Sequence, residues 1–423
     1  MSDSSVIECQ SIVSQSDSDV EIPADVDNSA QQGNSARTDW DVIVIGGGPA
    51  GSLVSRLLAQ RGRSVLLVEA KAFPRDKVCG GCLSPRAVAH LDHAGLGHLP
   101  IAAGAIPLDA FEICLAGTST RFPLHGGFSL SRRTFDQHLL YAAIAAGVHV
   151  MARTTAMIDK ECIAGRRIVA ARHNGNDLQF SAKCVVCADG LLRSAARQLP
   201  ELAAETSTQS YVGIGTCIAS PSQALLDRIR PGTISMAVGH DGYVGLAQHE
   251  RGGLSIAAAI SPVALKSAKR PEVILQKLML SVGMPSVENS GSIDWQGTPL
   301  LTSRAGTVAT ERVFVIGDAA GYVEPFTGEG MAAALESAWL SAPLIDQAIN
   351  EWNPLLVRRW QTCYCQAIQE RQWAVRGLGS LLRYPRLTRS LLGFSRLVPS
   401  VPRWLISRIN DARPSHVPTE STR

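Results

Sequence analysis

Beginning at Asp39, hydrophobic positions come in short unbroken runs set between glycine turns and helical stretches. The run Val42 to Ile45 is followed by a glycine turn, a helical pattern to about Arg61 and a second run from Ser64 to Glu69. Such short, continuous runs suit strands buried on both faces, so the opening predicts a βαβ unit with parallel strands. A helical stretch from Pro85 to Leu96 precedes alternating segments between Phe111 and Phe122, the pattern of a half-exposed sheet. A helix around Arg133 to Gly147 and a strand at Lys183 to Ala188 return to the first pattern, whereas Tyr211 to Ile260 alternates again in glycine-bounded runs. The strand Arg312 to Ile316 and a helix from Gly328 to about Ile345 return to it a third time. The predicted fold class is α/β, with a discontinuous Rossmann-like nucleotide-binding domain over 38–110, 126–205 and 300–346. Into it is inserted an antiparallel β-sheet substrate domain, 111–125 and 206–299. A helical, arginine-rich segment follows, 347–423.

Composition narrows this picture. The 423 residues are 45% hydrophobic and 18% charged, with a formal net charge of +3, which suits a globular protein with a large core and offers no footprint for nucleic acid. Residues 1–37, rich in Ser, Asp, Gln and Asn, read as a disordered tail without the features of a secretory signal. Ten cysteines in a chain this long fit a reducing, cytoplasmic setting better than a disulfide framework. No apolar run reaches the ~18–20 residues of a spanning helix. Between Arg371 and Arg413, however, nine arginines and the single acid Asp411 are interleaved with Leu, Trp, Phe and Ile. That stretch reads either as a surface for anionic lipid, peripheral on the inner membrane face, or as a helical cap over the substrate domain.

The chemistry-bearing motif of the first βαβ unit is Gly46-x-Gly48-x-x-Gly51, placed between strand and helix. Gly46 allows the tight turn, Gly48 lets backbone approach a pyrophosphate, and Gly51 lets helix and strand pack closely. Glu69, at the end of the next strand, is placed to accept hydrogen bonds from ribose hydroxyls and disfavours a 2′-phosphate. No second such motif within a βαβ pattern follows, so a separate nicotinamide domain is not expected.

With these residues the chain resembles the flavoprotein monooxygenase and geranylgeranyl reductase superfamily, which shares the para-hydroxybenzoate hydroxylase fold. Cys187-Ala-Asp189-Gly190, followed by Ser194 and Arg197, is similar to that family's Asp-Gly motif. Arg312 to Gly321 with Gly317-Asp318, continuing through Pro325, Gly328 and Gly330, is similar to its second FAD motif. The resemblance implies FAD held by Gly46, Gly48, Pro49, Ala50, Gly51, Glu69, Ala70, Arg132, Asp189, Gly317, Asp318, Pro325, Gly328, Gly330 and Met331. In this reading Asp318 accepts from the ribityl chain, and the glycine-rich start of the helix after Pro325 aims N–H groups at the flavin pyrimidine ring, which is anionic when reduced. For Arg132 a surface arginine at a helix start is the competing reading. The resemblance also implies that NAD(P)H visits transiently as reductant or that an electron-donor protein delivers the electrons.

Phe73 to Arg86, with Cys79-Gly-Gly-Cys82, resembles the geranylgeranyl reductase-type loop near the isoalloxazine. Cys82 departs from that pattern and creates a C-x-x-C. Two readings of Cys79 and Cys82 stand: a catalytic dithiol relay beside the flavin, or a pocket-lining thiol next to a small packed residue. A zinc site joining them to Cys184 and Cys187 is disfavoured, because residues three apart on a strand point to opposite faces. No metal is expected. Of the family's Tyr-x-Trp-x-Phe-Pro strand only Tyr243 remains, and Gly245, Ala247 and Ala257 to Ala259 predict a long, weakly aromatic pocket for a lipid-like substrate. The halogenase Trp-x-Trp-x-Ile-Pro sequence is missing from the same stretch.

The leading expectation is an FAD-dependent oxidoreductase that reduces or dehydrogenates a carbon–carbon bond of a prenyl or polyketide lipid. The alternatives are a flavin monooxygenase hydroxylating an aromatic or quinone-like substrate and a membrane-associated electron-transfer flavoprotein.

Overall fold

The computed structural model describes residues 37–115, 117–268, 270–287, 293–324, 328–372 and 388. The predicted N-terminal tail, save Arg37, Pro325 and most of the arginine-rich stretch lie outside the described residues.

Asp39–Ile45 is the central strand of the first sheet. It pairs in parallel with Val65–Val68 on one side and with Asn176–Cys187 on the other, in the register Ile45 opposite Val68 and Cys187. His149–Met151 and Val313–Val315 extend the parallel order outward. Val42, Ile43 and Val44 are fully buried, as an unbroken apolar run sandwiched by helices must be. The helix Pro49–Ala59 packs against both Arg132–Ala145 and Gly330–Asn350.

Two features exceed the sequence expectation. The strand read as Lys183 to Ala188 runs from Asn176, and its first half leaves the parallel sheet to pair antiparallel with Arg166–His173, which pairs in turn with Thr154–Ile163. The helix read from Gly328 to about Ile345 runs over Gly330–Asn350, through Pro343.

The second sheet has seven strands in the order Gln296–Leu300, Val212–Ile218, Leu254–Ile260, Gly242–Gln248, Thr233–Gly239, Ala110–Leu115, Thr118–Pro123. It is antiparallel except where Ala110–Leu115, arriving early from the nucleotide domain, lies parallel to Thr233–Gly239. Period-two alternation divides its faces. Ile214, Ile218, Val244, Leu246, Ile256 and Ile260 pack with Ile274, Leu275 and Leu278 of the helix Pro271–Ser281. Ile113, Leu115, Met236, Val238, Tyr243 and Ala259 face the other way, where Leu191 and Tyr322 of the nucleotide domain meet them.

A buried ion pair ties the second sheet to the helix Arg132–Ala145. His249 Nδ1 stands 3.2 Å from Glu250 Oε2, and that carboxylate accepts from the Ser131 N–H at 2.9 Å, from Ser131 Oγ at 2.5 Å and from Thr134 Oγ1 at 2.6 Å. Burial opposes both charges, yet Cys217 and Glu250 raise His249 to about 9, and His249, Ser131 and Thr134 lower Glu250 to about 2. The raised His249 contributes stability that is complete below its unfolded value of 6.5 and is lost as pH climbs to about 9. The depressed Glu250 contributes stability present above 4.5 and lost as pH falls toward 2. Melting temperature should therefore fall between pH 6.5 and pH 9 in the wild type and much less in His249→Gln. Equal slopes in differential scanning fluorimetry would remove the pair from the pH profile.

Candidate flavin-nucleotide site

Gly46 has φ +107, and a side chain there would run into the Ala188 carbonyl and the Asp189 backbone, so the first glycine turn and the Asp-Gly motif lie against each other. Gly51 packs on the Gly46 carbonyl and the Ala188 methyl. Pro49 and Ala50 open the helix, and a Cβ on Gly317 would stand 2.9 Å from the Ala50 methyl, which brings the second glycine motif onto the first. Gly328 lies over Cys82, and a Cβ on Gly330 would stand 3.3 Å from the Tyr322 ring. Met331 is buried behind them.

Gly48 differs from its neighbours. Its φ of −76 suits any residue, and a Cβ there would meet only one atom within 4 Å, Arg75 Nη2 at 3.9 Å. The fold itself thus has no need of this glycine. It leaves an open cradle at a helix start that has no side-chain cap and no acid in its first turn. Unpaired N–H groups and the positive end of the helix dipole there suit a phosphate.

Charged side chains crowd the same cleft. Glu69 Oε2 accepts from the Gly47 N–H at 2.8 Å and Oε1 from the Lys71 N–H at 3.0 Å, with exposed Ala70 at the rim. Arg75 reaches Glu69 at 3.6 Å and Asp136 at 3.2 Å. Arg132 is buried, not a surface residue, and makes a bidentate pair with Asp136 at 2.8 Å for both bonds. Lys77 Nζ stands 3.2 Å from where a Gly190 Cβ would be. Burial and the nearby Arg132 push Lys77 below its usual value against the pull of Asp318, while burial raises Asp318 against the pull of Lys77 and Arg132. Asp189 accepts from the Ala195 N–H at 2.8 Å and from Ser194 Oγ at 3.1 Å, and its other oxygen is buried without a partner. Arg193, in the left-handed region, donates to the Ala319 and Leu202 carbonyls and so fastens the Asp-Gly loop to the second motif.

Cys79 is half-buried, and its sulfur accepts from the Gly81 N–H at 3.4 Å. It lies within electrostatic reach of Arg132 and Tyr322. Cys82 is buried against Leu108 and Ala247, donates to the Gly80 carbonyl at 3.3 Å, and is pushed up to about 12 by burial and by Cys79. A thiol so held is packed and protonated. Arg75, Lys77 and Tyr322 also reach this cleft, although the sequence reading did not name them among the cofactor-binding residues. Glu69 lies only six residues from Arg75, but Asp136 and Asp318, the acids that act on Lys77, lie far along the chain.

Residues 39–353 match the family described as FAD binding domain. The chain belongs to that family. It is an FAD-dependent oxidoreductase, and the uncapped helix start, the open Gly48 and the acid at Glu69 fit the cofactor that the family name states. Menaquinone reductase of Mycobacterium tuberculosis is 26% identical over 380 residues, covering 82% of this chain and 85% of the relative. Digeranylgeranylglycerophospholipid reductase 2 of Methanosphaera stadtmanae is 25% identical over 323 residues, 74% and 79%. Conditioned medium factor receptor 1 of Dictyostelium discoideum is 26% identical over 343 residues, 74% of this chain, which spans 64% of that protein's length. Among solved structures, the flavin-dependent brominase Bmp2 superposes with TM-score 0.74 at 18% identity, covering 89% and 95% of the two chains. A geranylgeranyl bacteriochlorophyll reductase-like protein of Thermoplasma acidophilum gives 0.68 at 20%, covering 82% and 88%. These structures share the fold.

Proposed function

We propose that this flavoprotein reduces or dehydrogenates a carbon–carbon bond of a prenyl or otherwise lipid-like substrate, bound between the second sheet and the FAD motifs. The observation that carries the reading is the sheet face turned toward those motifs: Ile113, Leu115, Met236, Val238, Tyr243 and Ala259, closed by Leu191 and Tyr322. Such a face desolvates a hydrocarbon chain and lends few polar groups to orient a small aromatic acid. The names of the two reductase relatives, one for a quinone and one for a prenylated phospholipid, point the same way.

In this reading the helix start at Gly48 to Ala50 holds the pyrophosphate, Glu69 the ribose and Asp318 the ribityl chain. The start of the helix Gly330–Asn350 would face the flavin ring. Bound FAD supplies two-electron hydride chemistry. Saturating a double bond takes one further proton, and we assign it to Tyr322, whose ring closes that sheet face; burial, then Asp318, keeps the phenol protonated before the transfer and returns a proton to it afterwards. Electrons arrive from transient NAD(P)H or from a donor protein. Among the described residues no helix is long and apolar enough to cross a membrane, and an anionic surface would be met peripherally by the arginine-rich stretch.

Dithionite-reduced holoprotein mixed anaerobically with a menaquinone or a geranylgeranyl lipid should reoxidise and yield product with one double bond fewer. Tyr322→Phe should slow that step roughly 100-fold while keeping its FAD. Reoxidation by oxygen alone, with a hydroxylated aromatic product, would replace this reading by the monooxygenase.

A further inference from the structure

The helix Arg132–Ala145 begins with Ser131 as its N-cap, whose Oγ accepts from the Thr134 N–H at 3.2 Å. In a capping box the residue three after the cap is Glu or Gln, and it reaches back to the cap N–H. Here that position is Thr134, which is too short for the task. Glu250 performs it from the other domain: its carboxylate takes the Ser131 N–H as well as both hydroxyls. The helix start is thus capped in trans by the turn that joins strands Gly242–Gln248 and Leu254–Ile260 of the second sheet. Glu250 is in turn held by His249, whose ring fills the space that a Gly253 side chain would need. Glu250, His249 and Ser131 are all buried.

The capped turn carries Arg132 at its first position, and polar contacts run unbroken from there. Arg132 grips Asp136, Asp136 meets Arg75, Arg75 meets Glu69, and Glu69 accepts the Gly47 N–H of the glycine turn. We propose that Glu250 is a positioning residue for the nucleotide site: the second sheet supplies the cap that aims Arg132 into the cofactor cleft, so docking of that sheet sets how tightly FAD is held. The assignment does not depend on which substrate the sheet binds.

FAD release from diluted holoprotein, followed by the recovery of free-flavin fluorescence, tests this. Loss of a helix cap predicts release about tenfold faster in Glu250→Ala. Because the effect passes through Arg132, adding Glu250→Ala to Arg132→Ala should leave the release rate of the single Arg132→Ala variant unchanged. Glu250→Gln, which keeps an acceptor for Ser131 and Thr134, should fall between wild type and Glu250→Ala and serves if the alanine variant does not fold. Wild-type release rates in Glu250→Ala or Glu250→Gln, with only a lowered melting temperature, would make the cap merely structural. Additive effects in the double variant would route it past Arg132. A wild type that holds no FAD at all would instead overturn the family's cofactor, not this coupling.

Discussion

Gly48→Val should lose FAD by roughly two to four orders of magnitude while the apoprotein melts at the wild-type temperature. The two halves of this expectation have separate causes. Gly48 adopts an ordinary backbone conformation, and a Cβ there would find open space apart from Arg75 Nη2 at 3.9 Å. The folded chain therefore accepts a side chain without strain. What the side chain fills is the cradle in front of the bare helix start. Each charge-assisted hydrogen bond between a backbone N–H and a phosphate contributes about 1.5–3 kcal/mol, and displacing two of them gives the stated loss. Gly51→Ala provides the contrast: its methyl would drive into the Gly46 carbonyl, and overpacking of that kind costs about 1–3 kcal/mol of fold stability. Titration of each apoprotein with FAD, beside scanning fluorimetry without it, separates the two. A Gly48→Val variant that binds FAD normally would move the phosphates elsewhere.

The same comparison explains what was legible in the sequence. The glycine turns announce themselves because each is fixed by local geometry: Gly46 by its positive φ, Gly51 by contact with residues five positions back. The central strand Asp39–Ile45 is legible for a related reason, since burial on both faces leaves an unbroken apolar run. The strand Asn176–Cys187 was legible only at its inner end. Its outer half is exposed and polar, so alternation vanishes and it reads as loop. Least legible were the charges. Arg75, Arg132 and Asp136 form one network with Glu69: Arg132 and Asp136 share a helix at i,i+4, but the contact of Arg75 with Asp136 joins a loop to a helix 61 residues on and obeys no period. Glu250 is the extreme case, because it completes a capping box whose other half lies 119 residues earlier.

Removal of the Arg86 guanidinium should cost the fold about 3–5 kcal/mol, the range for a buried ion pair that loses one partner. Arg86 holds Glu329 at 2.7 Å and Glu336 at 3.5 Å, behind the start of the helix Gly330–Asn350 that faces the proposed flavin ring. Glu336 is fully buried. His90 stands 3.9 Å from Glu336 but offers no charge in the wild type, because burial, and then Arg86 itself, depress it to about 3. Arg86→Met therefore takes from two buried carboxylates the guanidinium they share, beside an imidazole that is neutral in the wild type; Arg371 also acts on Glu329. Burial already holds Glu329 above its usual value against the pull of Arg86, so losing the guanidinium should raise it further, and His90, relieved of its cationic neighbour, should rise from about 3. Groups whose folded pKa rises bind more protons in the native state, so the variant gains stability as pH falls. The deficit relative to wild type should accordingly be largest near pH 8 and shrink toward pH 5. Adding Glu336→Gln should recover part of it at pH 8, since one of the buried carboxylates that faced the lost guanidinium is then gone. Denaturant titrations at the two pH values read both effects. A deficit that does not change with pH would mean that lost packing around the arginine stem, rather than uncompensated charge, accounts for the loss.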